Sequence, residues 1–215
     1  MFEKSLTVQT PSRPVGATQR RGIARRRAIL DAAEALLGGQ GYEAATLKAI
    51  GERAGIPVAS VYHYFSHRHQ VEAELLRRHA HELDTRIGAT PAGKRPRTLS
   101  DVADAVIDPL LDYFRGHPSC TELWFKGSSE TVGAHVRAFD EAQAERVWKL
   151  LVARDLVPTD LPLLVVQLAF EVGNRLFEAA FRRSPEGNDA TIREARRIVI
   201  AYVESYVTEG RAGRD

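Results

Sequence analysis

Along almost the whole chain the apolar residues recur at helical spacing, not at the alternating spacing of a strand. Ile23, Ile29, Leu30, Ala33, Leu36 and Leu37 follow intervals of three, four and seven, which turns one face of a helix inward, and Gly38, Gly39 and Gly41 end it. Thr46 suits the N-cap of a short second helix, with Leu47, Ile50 and Ala54 on one face and Gly55 as its stop. Pro57 fits the first turn of a third helix running through Tyr62 and Tyr64. Ser66 is placed to cap a fourth, whose inner face carries Val71, Leu75, Leu76 and His79. After the Pro/Gly/Lys stretch Thr90–Pro96, the spacing predicts a helix over Leu99–Arg115 with Ser100 or Asp101 near its N-cap. Further helices follow over roughly Ser119–Lys126, Glu130–Arg154, Leu161–Arg183 and Asp189–Val207, with breaks at Gly116-His117-Pro118, Val157-Pro158 and Ser184-Pro185-Glu186-Gly187. No stretch sustains period-two alternation with β-branched enrichment, so the fold class is all-α.

Composition narrows this little, but the placement of charge does. The net charge is only +2, yet residues 1–80 carry 12 Lys/Arg against 7 Asp/Glu and are basic, while residues 81–215 carry 18 against 21 and are acidic. An anionic partner is therefore expected for the amino-terminal part alone. Residues 1–19 are rich in Thr, Ser, Pro and Gly without apolar periodicity and read as a disordered tail. The single Cys120 excludes an internal disulfide and fits a reducing cytoplasm. No signal peptide is expected, because Met1–Pro14 lacks an apolar core. Leu161–Phe181 is the most apolar run, but Gln167, Glu171, Asn174, Arg175 and Glu178 within it argue against a membrane span. No cofactor is expected. His63, His67 and His69 lack a Cys or carboxylate to complete a metal site, and His117, Cys120 and Glu122 sit in a Pro-broken loop, so no metal is expected either.

The stretch Ala54–Val71 concentrates the candidate chemistry. Leu47, Ile50, Ala54, Ile56, Val61 and Phe65 supply a small core for two short helices crossing at Gly55. Ser60, Tyr62, His63 and Tyr64 give the second of them donors that reach phosphates and base edges in a major groove. Arg20, Arg21, Arg25, Arg26 and Arg27 precede, with no acidic residue between Lys4 and Asp31, and such a cluster neutralises phosphates. Singly, an Arg run is usually a solvated face and the aromatics are usually core; together they indicate a helix-turn-helix that contacts DNA.

At these residues, over about 23–71, the sequence resembles the TetR family of bacterial transcriptional regulators. The similarity covers the helix AILDAAEALL, Gly41-Tyr42, Thr46, the Glu52-Arg53-Ala54-Gly55-Ile56 turn and Ser60-Val61-Tyr62-His63-Tyr64-Phe65. The resemblance implies that Thr46 holds a phosphate, that Val58, Ala59, Ser60, Tyr62 and His63 face the groove, and that Tyr64 and Arg68 clamp phosphate oxygens. Arg25 and Arg26 join this DNA-binding set from the basic cluster. Two departures stand out. Pro57-Val58-Ala59 replaces the family's polar helix start, so that Val58 and Ala59 would pack on thymine methyls, and Arg68 replaces the usual Lys.

The expected organisation is thus a tail (1–19), a helix-turn-helix domain (20–82) and a larger helical domain (97–208). Reading both halves of a palindromic operator takes two copies roughly 34–36 Å apart, so a homodimer is expected. Ala169, Gly173, Leu176 and Ala180, with Val199, Tyr202, Val203 and Tyr206, are placed for a four-helix interface, though an intramolecular core would use the same pattern. Gln167, Glu171, Asn174, Arg175 and Glu178 form a polar stripe that suits a solvent face, an interhelical seam or the wall of a ligand cavity; the resemblance favours the cavity. Candidate apolar walls are Phe114, Trp124, Phe125, Phe139 and Trp148. The expected function is a DNA-binding regulator, a repressor released by a small-molecule effector. The alternatives are a ligand-independent DNA binder of the same fold or an α-helical enzyme, for which no nucleophile–base motif or phosphate-cradling loop appears.

Overall fold

A computed structural model describes residues 15–89, 96–127 and 129–212. Among them are nine α-helices and one 3-10 turn, and no strand. The chain starts with α1 (Val15–Gln40), followed by a 3-10 turn (Tyr42–Ala44), α2 (Leu47–Ala54), α3 (Val58–Tyr64) and α4 (Arg68–Gly88). It continues with α5 (Leu99–Gly116), α6 (Pro118–Lys126), α7 (Glu130–Ala153), α8 (Leu163–Arg183) and α9 (Asp189–Ala212).

The amino-terminal head forms where the capping signals place it. Thr46 Oγ1 accepts from the Ala49 N–H at 3.1 Å and starts α2. Gly55 ends α2 at φ 65°, a left-handed conformation that glycine adopts without penalty, and the Ile56 N–H closes back onto the Gly51 carbonyl at 2.9 Å. Val61 and Phe65 of the α3 region are fully buried against Ile29, Leu37, Ile50 and Leu76. Four expectations change here. Helix α1 reaches back to Val15 and runs through Gly16 and Gly22, where Gln19, Arg20 and Arg21 between them are good helix formers; the rest of the 1–19 tail lies outside the described residues. Ile23 is 63% exposed, not core. Ser66 does not cap α4: His67 occupies that position, and the Ser66 N–H donates to Gln70 Oε1 at 2.7 Å instead. The 3-10 turn at Tyr42–Ala44 had no periodic signal because it is only three residues long.

Helix α4 runs six residues beyond the expected head boundary and packs on α1, α5, α6 and α7, so it belongs to both parts of the molecule. Arg78 ties it to Asp31 and Glu34 of α1, and Asp84 ties it to Gln143 and Arg146 of α7. Most of the Thr90–Pro96 stretch lies outside the described residues. Helix α5 is capped by Thr98 through a reciprocal capping box with Asp101, in place of Ser100 or Asp101 alone, and it tolerates Pro109 inside. Helices α8 and α9 pair along their length, α7 packs on α8, and Arg196 of α9 bridges Asp104 and Asp108 of α5.

Candidate nucleic-acid interface and cavity

At 100° per residue, Val58, Tyr62, Ala59 and His63 fall on one contiguous arc of α3, and all four are exposed. Ser60 and half-buried Tyr64 lie at the far margin of that arc, and the opposite side is sealed by Val61 and Phe65. The hydroxyl of Tyr64 has no hydrogen-bond partner among the described residues, while its ring meets His63 edge-on at 5.4 Å. Val58 and Tyr62 are two of the large hydrophobic side chains left in solvent, at 43% and 54%. On α1, Arg20, Arg21 and Arg25 are exposed and make no ion pair among the described residues. The structure therefore puts Val58, Ala59, Tyr62 and His63 on one exposed face of α3 and leaves Arg25 exposed on α1.

Two expected phosphate ligands are used differently. Arg26 pairs with Glu74 of α4 and stacks over Phe65 at 4.7 Å; the pairing raises its pKa further. Arg68 lies against buried Glu72 with Nε–Oε1 at 2.5 Å, donates to the Tyr42 carbonyl and stacks over the Tyr42 ring at 3.9 Å. Glu72, four residues on, draws the guanidinium inward, and the planar fork suits a carboxylate, a carbonyl and a ring at once. Arg68→Ala should therefore lower stability by roughly 2–3 kcal/mol, less than for a fully stranded charge, since the buried Glu72 carboxylate keeps His69 as a partner. Urea unfolding checks this. An unchanged midpoint with weaker DNA binding would restore the phosphate role.

Helix α6 joins the head to the rest. Glu122 accepts from the Tyr42 N–H at 2.9 Å and pairs with Lys126 at 2.6 Å. Ser119 approaches His79 Nε2 at 3.4 Å, and His79 Nδ1 meets the Tyr113 hydroxyl at 2.8 Å, which in turn donates to Glu82 at 3.0 Å. Since that hydroxyl donates to Glu82, His79 Nδ1 carries the proton and Nε2 accepts from Ser119. Burial, with Arg78 and His117 nearby, pushes His79 down to about 4, so the network holds a neutral imidazole. His117 stacks on Tyr113 at 3.9 Å, and Cys120 is buried with its thiol pushed up by that burial. With Glu122 committed to Tyr42 and Lys126, the His117, Cys120 and Glu122 trio has structural work to do. His69 likewise bonds Glu72 at 2.9 Å.

Between α5, α7, α8 and α9, with α6 as one wall, lies a cavity of about 110 Å³. Phe114, Trp124 and Asn174 line it as expected. The other expected wall residues do not. Phe125 stacks on Phe181 at 5.6 Å, and Phe139 stands behind Trp124, edge-on at 5.2 Å. Trp148 donates its Nε1–H to the Leu161 carbonyl at 2.9 Å and so secures the α7–α8 turn. Of the polar stripe, Glu171 and Arg175 are exposed, Arg175 pairs with Glu178, and Gln167 is half-buried outside the lining. The stripe is wider than the face α8 turns inward, and Asn174 alone sits at its cavity edge. Part of the expected dimer surface is likewise internal. Ala169 and Gly173, with Val199 and Val203, line the cavity, and Ala180 is fully buried. These small residues let α9 approach α8 within one protomer; Leu176, Tyr202 and Tyr206 are half-buried.

The residue that the pattern missed is Asp140. It lines the cavity and accepts from Asn174 Nδ2, whose Oδ1 takes the Trp124 Nε1–H at 3.4 Å. A signal existed: Asp140 occupies an inward register shared with Val132, Val136, Phe139, Ala144 and Val147, where a carboxyl is out of place.

Two family models match this chain. "Tetracyclin repressor-like, C-terminal domain" covers residues 98–202, and "Bacterial regulatory proteins, tetR family" covers residues 29–74. The chain belongs to the TetR family. The TetR family is described as one of bacterial regulatory proteins. It is 38% identical over 93 residues to the HTH-type transcriptional repressor KstR of Rhodococcus jostii, covering 40% of this chain and 43% of that one. It is 32% identical over 130 residues to the HTH-type transcriptional regulator BetI of Rhizobium meliloti, covering 60% and 57%. The matches thus span about half the length of these curated relatives. A TetR-family regulator structure from Streptomyces coelicolor is 29% identical with a TM-score of 0.56, covering 85% of this chain and 99% of that one. Among the described residues, no helix is long and apolar enough to cross a membrane.

Proposed function

We propose that this protein is a homodimeric, sequence-specific DNA-binding regulator of the cytoplasm, a repressor that a small-molecule effector releases from a palindromic operator. The observation that carries the DNA reading is the exposed arc Val58, Ala59, Tyr62 and His63 on α3; the exposed Arg20, Arg21 and Arg25 of α1, with no ion pair among the described residues, add positive charge to the same amino-terminal part. A seven-residue helix sealed on one side and open on the other has no packing reason to present Val58 and Tyr62 to water. A major groove takes a valine methyl against thymine and a phenol or imidazole against base edges or phosphate. Thr46, Ser60 and Tyr64 border this surface and take phosphate or sugar contacts.

The effector reading is supported by the cavity and by α6, which carries Trp124 on the cavity wall and Glu122 on the head. A ligand that prefers one arrangement of α6 shifts the population of head positions, and only its differential affinity for the two arrangements releases DNA. The homodimer reading is supported by the apolar stripe left on the outside of α8 and α9.

The test is fluorescence anisotropy with an operator selected from random duplexes, titrated with salt. Arg25→Ala should flatten the slope of log affinity against log salt by about 0.9 while leaving base preference intact. Tyr62→Ala and His63→Ala should each cost about 1–3 kcal/mol on the preferred sequence and less on random DNA. A slope indifferent to Arg25, or equal losses on both DNAs for the α3 variants, would assign these residues elsewhere.

A further inference from the structure

We infer that the cavity is built for a small lipophilic cation, an amine or ammonium carrying a single ring, whose charge seats against the Asp140 carboxylate. This rests on the effector reading above. The walls are almost entirely hydrocarbon, from residues such as Val106, Leu110, Phe170 and Val199, and the polar groups converge at one place. There the chain of donors runs one way: Trp124 to Asn174, and Asn174 to Asp140. It ends on a carboxyl whose only hydrogen-bond partner among the described residues is that amide. Asp140 has no ion pair among the described residues. The charged groups nearest in effect are Glu171 of α8 and Glu141 of α7, both acidic, and α5 and α6 put no charged side chain on the lining. On α9, Arg196 is occupied by Asp104 and Asp108. The pocket is thus a hydrocarbon box with an uncompensated acidic end. An anion would add repulsion, and an alcohol would satisfy a lone pair but leave the charge. A cation satisfies both, while Phe114, Trp124, Phe170 and Phe177 give aromatic walls suited to it. At about 110 Å³ the cavity is smaller than an engineered cavity of about 150 Å³ that holds benzene, so a single ring is the most it takes, with the ammonium arm at its polar end.

Burial, with the two neighbouring glutamates, raises Asp140 to about 7. A cation binds the ionised form, so its affinity rises as pH passes upward through that value. From pH 6 to pH 8 the ionised fraction, and with it the affinity, grows about tenfold.

The experiment is isothermal titration of the full chain, without DNA, by 2-phenylethylammonium, 2-phenylethanol and phenylacetate at pH 6 and pH 8. The ammonium should bind tightest, and about tenfold more tightly at pH 8 than at pH 6. Asp140→Asn should weaken the ammonium at least tenfold and remove its pH dependence, with an unchanged circular dichroism spectrum and melting transition showing that the variant is folded. If that variant does not fold, the pH comparison on the parent chain decides. The proposal is overturned if the alcohol or the carboxylate binds the parent as tightly as the ammonium, or if ammonium affinity is flat between the two pH values. Failure there with operator binding intact removes the ligand class alone. Ammonium binding without any operator binding removes the regulator reading and keeps the cation site.

Discussion

A Leu168→Glu, Val172→Glu double variant should stay folded as a single protomer and bind a palindromic operator on the order of 10²-fold more weakly than the parent, or worse. Among the described residues, the exposed large hydrophobics fall on two surfaces only. Ile23, Val58 and Tyr62 lie on the head, while Leu164, Leu168, Val172 and Ile198 lie on α8 and α9. Leu164, Leu168 and Val172 stand at i, i+4 and i+8, a stripe on the side of α8 opposite the cavity, and Leu164 is 60% exposed. An apolar stripe of this kind marks a contact surface. Because both substituted side chains already face water, glutamate costs the protomer little, whereas four added carboxylates across a two-fold interface repel one another. The operator loss is then the loss of avidity, with each head holding its half-site alone. Sedimentation velocity together with anisotropy on full and half operators checks this. A dimer that survives both substitutions would place its interface elsewhere.

Gly51→Val should abolish specific DNA binding while sparing the cavity. A Cβ at residue 51 would stand 2.9 Å from the Ile56 carbonyl oxygen and 3.2 Å from Val61 Cγ2. The first neighbour is backbone in the turn between α2 and α3 and cannot give way; valine adds two more methyls to the same space. Overpacking of this sort costs about 1–3 kcal/mol, and here it separates the two helices whose crossing angle aims α3. Operator affinity should fall to the level of random DNA. Ligand binding, remote in α5 to α9, should remain. Anisotropy and calorimetry on one preparation distinguish this from global unfolding, which would remove both.

Short-range chemistry explains why the head could be read from the chain. Thr46 caps, Gly55 turns and Val61 packs through neighbours within a few positions, so local rules suffice. The same rules failed where a partner arrives from another helix. Arg26 looked free until Glu74 met it from α4; Arg68 had Glu72 four residues on as a local partner, and only the Tyr42 carbonyl and ring, 26 residues away, completed its inward seat. The second half was legible as helices but not as surfaces. Ala169, Gly173 and Ala180 show that two helices come close, and that spacing is the same whether the second helix belongs to the protomer or to a copy of it. Phe114 and Trp124 do line the cavity, but Phe125, Phe139 and Trp148 were misassigned to it because an aromatic packs equally well one layer behind a wall. Asp140 was hidden in the polar stretch Asp140-Glu141, where only the helical register separates the inward carboxyl from the outward one.

Helix α4 is 21 residues long, which at 1.5 Å per residue makes a rod of about 31 Å. Its carboxy-terminal half is gripped by α5 and α7 near Leu83 and Asp84, and its amino-terminal end follows directly from the reading helix. A rod of that length is a lever arm. Tilting it by only 5° about the gripped end would carry Arg68 sideways by roughly 2–3 Å, about the length of a hydrogen bond. In a pair of heads the two displacements add or cancel along the duplex according to the two-fold axis. On the proposed effector reading, an occupant no bigger than one ring would then decide whether both heads keep in step with the DNA.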